Sequence, residues 1–270
     1  MKISIFTTYT NPEKRMDPWK EATQCYEEFA DEVVVTGQNW PEEFKFSFIG
    51  EQFQQGFENA TGDWVIKMDI DTMFHEKTFK KLKKYLETYS DEPAVILPKY
   101  QFFSFKKFHV KSTMCTIINK KKFPQIKFNG GGDLCDPTLN GKLLNELNLP
   151  KLNIPIWNYD STFKTKEVIS IDRARFARAW NKEFGNWGDR GDGTPENAFN
   201  AWFNMVKNRY KFHIGSVQIS QHPKFIQEKL LNIDELQFGY SLFGLAKNQN
   251  KLTKDKIRSY KTYLNNYYKF

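Results

Sequence analysis

The chain has no long apolar run, and its mean hydropathy is −0.65. Nothing in it therefore reads as a membrane-spanning helix, which needs about 20 consecutive apolar residues. Cysteine is scarce. Only Cys25, Cys115 and Cys135 occur among 270 residues, far apart and odd in number. That argues against a disulfide framework and against a zinc site, and points to a reducing cytoplasm. The opening residues, Met1-Lys2-Ile3-Ser4-Ile5-Phe6, read as a strand and lack the apolar stretch of a signal peptide. Internal repeats and flexible linkers are absent too. What is present is a composition of 40% hydrophobic and 16% aromatic residues, enough for a sizeable core. The net charge of +8 suits anionic ligands such as nucleotide phosphates, nucleic acid or anionic lipid, without choosing among them.

The first hundred residues alternate between two periods. Residues 2–8 form a β-rich run, and Asn11-Pro12 marks a turn. Residues 18–30 carry Trp19, Ala22, Tyr26 and Phe29 at helical spacing. Val33-Val34-Val35 is a β-branched strand of the kind buried on both faces of a parallel sheet. The pattern then predicts a third strand over 44–49, a helix over 51–60, a strand over 64–68, a helix over 77–89 and a strand over 94–97. Strand and helix alternating at this spacing mean βαβ units, hence an α/β fold with a mostly parallel central sheet flanked by helices. The second half is less regular. It reads as strands over 113–119 and 153–159, helices over 164–180 and 195–205, and a Gly- and Asp-rich loop over 184–195. The last twenty or so residues read as a basic, aromatic helix.

The chemistry concentrates at Gly62-Asp63-Trp64-Val65-Ile66-Lys67-Met68-Asp69-Ile70-Asp71-Thr72. In an extended chain residues i and i+2 point to the same side, so Asp69 and Asp71 are expected to project together from a strand end. Like charges that close raise one pKa unless a cation sits between them. Mg2+ or Mn2+, itself bridging substrate phosphates, is the usual resolution. The plain alternative is a solvated strand end.

A strand, a polar turn, a second strand, a helix ending in Ala60-Thr61-Gly62-Asp63-Trp64, and an apolar strand ending in Asp-x-Asp together resemble the GT-A glycosyltransferases, most of all the broad family 2 type. The likeness covers roughly the first hundred residues. It implies a Rossmann-related GT-A domain over 1–230, with a nucleotide-sugar half to about residue 100 and an acceptor half after it, followed by a helical extension over 231–270. It implies metal-dependent transfer of a sugar from a nucleoside diphosphate to a saccharide, lipid-linked or protein acceptor. Asp71 would hold the Mn2+ or Mg2+ directly, and Asp69 would hold it directly or through water or the ribose.

The same resemblance assigns the nucleoside contact to Thr7, Thr8 and Tyr9, with Asn11 or Glu13 nearby, and a diphosphate or base contact to Gln52 or Gln55. An inverting reaction also needs a carboxylate base. Asp133, after three glycines, and then Asp136 are the candidates, with Asp189 and Asp192 in the loop as further options. Many relatives add a late histidine as third metal ligand. Here that position reads Asn158, with Asp160 close by and His213 as its rival. The turn after the second strand, Thr36-Gly37-Gln38-Asn39, departs from the family pattern. His222-Pro223 reads as a turn. Two basic and aromatic stretches, 99–111 and 260–270, read as snorkelling lysines over a core edge and as a packing or membrane-surface helix, in preference to a nucleic-acid contact. Two other classes compete: a nucleotidyltransferase, which would need a Gly-rich triphosphate loop not visible near Thr7, and a non-catalytic glycan or polyanion binder on a degenerate transferase scaffold.

Overall fold

A computed structural model describes residues 1–210 and 215–248, with only the backbone described at 111–115 and 246–248. Its first strand, β1 (Ile3–Thr8), is buried along nearly its whole length, which is why Ile3, Ile5 and Phe6 all turn inward. It lies between β2 (Glu32–Thr36) and β3 (Trp64–Lys67), parallel to both. The crossover helix α1 (Trp19–Phe29) buries Ala22, Cys25, Tyr26 and Phe29, one face at 3.6-residue spacing. The second, α2 (Phe48–Asn59), does the same with Ile49, Phe53 and Phe57, and lays Gly56 against the ring of Phe6.

The strand expected over 44–49 is instead a turn running into α2. Phe44 and Phe46 alternate as in a strand, but no strand lies beside them. They are buried in an aromatic cluster with Trp40, Phe176 and Trp180. Tertiary packing against a later helix supplied the burial that the alternation seemed to assign to a sheet.

Downstream come β4 (Thr72–Met73), α3 (Phe79–Thr88), β5 (Ala94–Ser104) and β6 (Lys107–Asn119). A small separate sheet holds β7 (Lys127–Gly130), β8 (Asp136–Leu139) and β9 (Lys142–Leu143). Then follow β10 (Ile156–Asn158), α4 (Lys166–Phe184), α5 (Pro195–Tyr210), β11 (Gly215–Ser216), α6 (Lys224–Leu231) and α7 (Phe238–Ser241). The large sheet runs β2-β1-β3-β6-β5-β10-β4, with β11 beside β6. Following the pairings outward from β1, the strands β2, β3, β5, β10 and β11 point with it, and β6 and β4 point against it. The sheet is thus mostly parallel in direction, as the alternation predicts.

The stretch 99–111 is not a solvated edge. It forms the long β5–β6 hairpin, with Lys99, Phe102, Phe103 and Phe108 all buried. Helices cover both faces, and α4, α5 and α7 share a third cluster built on Phe103, Trp202 and Phe238. No described helix is long and apolar enough to cross a membrane. The basic tail proposed for packing or membrane contact lies beyond residue 248, outside the described residues.

A Cβ added at Gly56 would come within 2.4 Å of the Phe6 ring. Gly56→Ala is therefore expected to cost about 1–3 kcal/mol by overpacking, despite Ala's better helix propensity. Urea denaturation compared with the unmodified chain checks it.

Candidate active site

The strand β3 stops at Lys67 because the chain then turns. The Thr72 amide and its hydroxyl both donate to the Asp69 carbonyl, at 2.8 and 2.7 Å. The buried Tyr26 hydroxyl, from α1, lies 2.6 Å from the Asp69 carbonyl and 2.9 Å from that of Thr72. On the far side, β4 and β10 pair Thr72 with Asn158, and the Tyr159 amide donates to the Asp71 carbonyl at 2.8 Å. The two acids consequently leave a pinned turn, not an extended strand end as their i, i+2 spacing suggested.

Their environments differ. Asp69 is partly exposed, with Lys67 Nζ 2.7 Å from Oδ1 and Lys99 Nζ 3.9 Å from Oδ2. Burial alone would raise its pKa, but Lys67 and then Lys99 outweigh burial and hold it below the usual carboxylate range. Asp71 is buried and accepts from Asn158 Nδ2 at 3.0 Å. Burial, then the negative charges of Asp160 and Asp69, push it up to about 7. Asn158 Oδ1 is itself buried with no hydrogen-bond partner.

Asp160, two residues past β10, accepts from Arg173 Nη2 at 2.7 Å and lies 3.7 Å from Lys164 Nζ. Burial opposes its ionisation, but Arg173 and Lys164 hold it well below the usual range. Underneath is a buried ion network. Lys164 Nζ stands 2.9 Å from Asp17 Oδ1, and Arg15 bridges Asp17 at 2.8 Å and Asp172 at 2.6 Å. It joins the β1–α1 loop to α4, whose first turn is capped by Thr165 accepting from the Val168 amide.

Beside Asp160 opens a cavity of about 400 Å³ between α4, α5 and the end of β5. Asp133, Asp189, Arg173, Arg190 and Gln101 face it. Asp133 is exposed there, 3.6 Å from Arg190 Nη2. Asp189 is paired with the same arginine at 3.1 Å. Asp136 does not line this cavity. It sits on β8, with its carboxylate against Gly131. Asp192 is committed to the start of α5, accepting from the Thr194 amide and hydroxyl and from Asn197.

At the end of β1, Thr7 is buried and its hydroxyl has no hydrogen-bond partner, while Thr8 is half-buried. The Tyr9 hydroxyl meets Thr23 Oγ1 at 3.1 Å, and its ring packs edge-on against Trp19. Glu13 is exposed, accepts from Trp19 Nε1 at 3.2 Å and lines a different hollow with Lys20 and Lys229. Gln52 is half-buried with Oε1 against Gly37. Gln55 lies on the exposed face of α2. His213 falls outside the described residues.

Sequence reasoning missed Lys67, Lys99, Arg173 and Arg190 as site residues, since a charged residue in a strand or helix normally reads as its solvated face. It also read His222 only as a turn residue. His222 is fully buried beneath the site, its Nε2 2.8 Å from the Phe105 carbonyl and its Nδ1 2.9 Å from the Tyr159 hydroxyl. Burial pushes it down to about 4, so it stays neutral and structural.

Among the described residues no three or more His, Cys, Asp or Glu cluster as a metal site. The donor set that suits a hard cation is smaller: the Asp71 carboxylate, crowded by like charges, with the orphaned Asn158 Oδ1 beside it.

No protein-family model matches the chain, and no curated protein matches its sequence. Among solved structures it is similar to S. aureus TarS 1–349, at 12% identity over 97% of this chain and 90% of that one, with a TM-score of 0.35. The same protein in complex with UDP matches at 13% identity over 97% and 90%, with a TM-score of 0.33. In complex with UDP-GlcNAc it matches at 14% over 100% and 93%, again with a TM-score of 0.33. Identities and TM-scores this low transfer no residue roles.

Two outcomes follow from this electrostatic layout. Lys164→Met removes the cation from between Asp17, Asp160 and Asp172, and a broken buried pair costs about 3–5 kcal/mol. Chemical denaturation should show a loss of that order. Asp71, with its folded pKa raised to about 7, binds more protons folded than unfolded between the unfolded value and 7. Without a cation its contribution to stability is therefore greatest at acid pH and is lost as pH rises through 7. Asp71→Asn should flatten that part of the pH profile of thermal stability and melt higher than the parent at pH 8.

Proposed function

We propose that the protein is a glycosyltransferase that moves a sugar from a nucleoside-diphosphate sugar to an acceptor hydroxyl, with a divalent cation at Asp71. The observation that carries this reading is the Asp69–Asp71 turn. It follows β3, in the parallel trio β2-β1-β3, and leads to Asp160 at the wall of a cavity. Open α/β sheets bind ligands at the carboxyl ends of their strands. The free ends of β1 and β3 lie there together, with the partnerless Thr7 hydroxyl at one and the acidic turn at the other.

In this reading Asp71, with Asn158 at its side, holds Mn2+ or Mg2+. The ion would neutralise the diphosphate as it departs, a Lewis-acid role. Lys67 and Lys99 hold Asp69 ionised beside that position, where its carboxylate meets the ion or the ribose. Thr7, Thr8 and Tyr9 flank the nucleoside. Gln52, turned toward Gly37, would meet the base side. Asp160, kept charged by Arg173 and Lys164, is too weak a base to take a proton near neutral pH. Of the two other carboxylates facing the cavity, Asp133 is held less closely by Arg190 (3.6 Å) than Asp189 is (3.1 Å), and it is the one that would accept the acceptor's proton, so transfer would invert configuration. Arg190, itself in the 184–195 loop, ties Asp133 to that loop.

Incubation with a panel of nucleotide-sugars and Mn2+ tests the reading. Turnover of one donor is expected, and Asp71→Ala should lower it at least about 100-fold, the scale of losing one electrostatic stabiliser in a site shielded from water. The variant should also lose Mn2+-dependent nucleotide binding while keeping a native circular dichroism spectrum. Undiminished turnover in Asp71→Ala overturns the metal assignment. Absence of any turnover or nucleotide binding favours a non-catalytic binding protein.

A further inference from the structure

The cavity beside Asp160 holds three arginines, and they are not equivalent. Arg173 is committed to Asp160 at 2.7 Å, with its guanidinium over the Trp202 ring at 5.4 Å. Arg190 is bracketed by Asp189 at 3.1 Å and Asp133 at 3.6 Å, and lies 3.5 Å over Trp180. Arg209, from the last turn of α5, makes no ion pair within 4 Å among the described residues. Its contact is Nη1 to the neutral Gln101 Oε1, at a long 3.5 Å. It is half-buried, and the wall beside it is apolar: Trp202, Met205, Val206 and Phe238. Burial, and then the like charge of Arg173, bear against its cationic form, and the more distant Asp160 and Asp189 only partly offset them.

A partly desolvated guanidinium with no anion in direct contact, only Asp160 and Asp189 acting from beyond 4 Å, is an unfavourable arrangement on its own. It is also a planar fork of donors matched to a carboxylate or phosphate. Partial burial beside Trp202, Met205, Val206 and Phe238 strengthens such a pair beyond what fully exposed charges achieve. We propose that this cavity takes an anionic group of the acceptor, a phosphate or a carboxylate, with Arg209 as its partner. As a statement about an acceptor this rests on the glycosyltransferase reading. As a statement about an anion site it rests on the cavity alone. The acceptor hydroxyl would then lie between Arg209 and Asp133, on the side of the cavity nearest Asp160.

Calorimetric titration of the metal-free full chain with inorganic phosphate, glucuronate and glucose tests it. At least one anion should bind, and glucose should not. Phosphate alone would mark a phosphate-bearing acceptor, and glucuronate alone an acidic sugar. Arg209→Gln should weaken binding about tenfold or more, the loss of a charged hydrogen bond. Arg209→Lys should recover part of it. Lys207→Gln, which removes the same charge outside the cavity, should change nothing. The proposal is overturned if neither anion binds, if Arg209→Gln binds as the parent does, or if Lys207→Gln weakens binding equally. The nucleotide-sugar panel separates the two readings. Donor turnover without anion binding removes this proposal alone, whereas anion binding without donor turnover removes the transferase and leaves the anion site.

Discussion

The site hangs on the buried ion network of Arg15, Asp17, Lys164 and Asp172. These charges come from the β1–α1 loop and from the entry to α4, segments 150 or so residues apart that no strand pairing joins. Charges taken this far from water are tolerable only if each has its partner. The geometry is accordingly restrictive: move α4 and Asp17 loses Lys164 while Arg15 loses Asp172. Because Lys164 also reaches Asp160, and Asp160 is, after burial, the charge that bears most strongly on Asp71, the network influences the acidic turn from beneath.

Around that base, apolar packing and polar stitching divide the work. The aromatic layer of Phe102, Trp157, Tyr159 and the neutral His222 supports β10 from below, so Asn158 arrives opposite Asp71 with little freedom. Tyr26 reaches across from α1 to close the turn from the other side. The carboxylates therefore meet a rigid surround, the condition under which electrostatic stabilisation is strongest. The cavity side is different in kind. It is built from long side chains of α4 and α5 and from the glycine-rich 184–195 loop.

Much of this was legible in the residues. The β-branched run 33–35, the 3.6-residue spacing of Ala22, Cys25, Tyr26 and Phe29, and the apolar strand before Asp69 each encode local structure through a period, and a period needs no knowledge of the rest of the chain. The acids of the turn were legible as two like charges held close together. The segment 44–49 misled because alternating aromatics serve a helix–helix cluster as well as a sheet. The 99–111 stretch misled because a lysine in a strand looks solvated until its neighbours are known, and Lys99 proves to be buried beside Asp69.

The sequence by itself determined the alternation of strands and helices, the mostly parallel direction of the sheet, and the placement of Asp69 and Asp71 after an apolar strand. Only the tertiary structure decided that these acids sit in a turn and that one is neutralised by lysines while the other is pushed toward neutrality. It alone separated Asp133, in the cavity, from Asp136, outside it, and left Arg209 without a direct ion pair among the described residues. The physical reason is range. Hydrophobic periodicity is set by the few residues around each position. The state of a charge is set by whatever the fold brings within a few ångströms, and here those neighbours come from four distant segments of the chain.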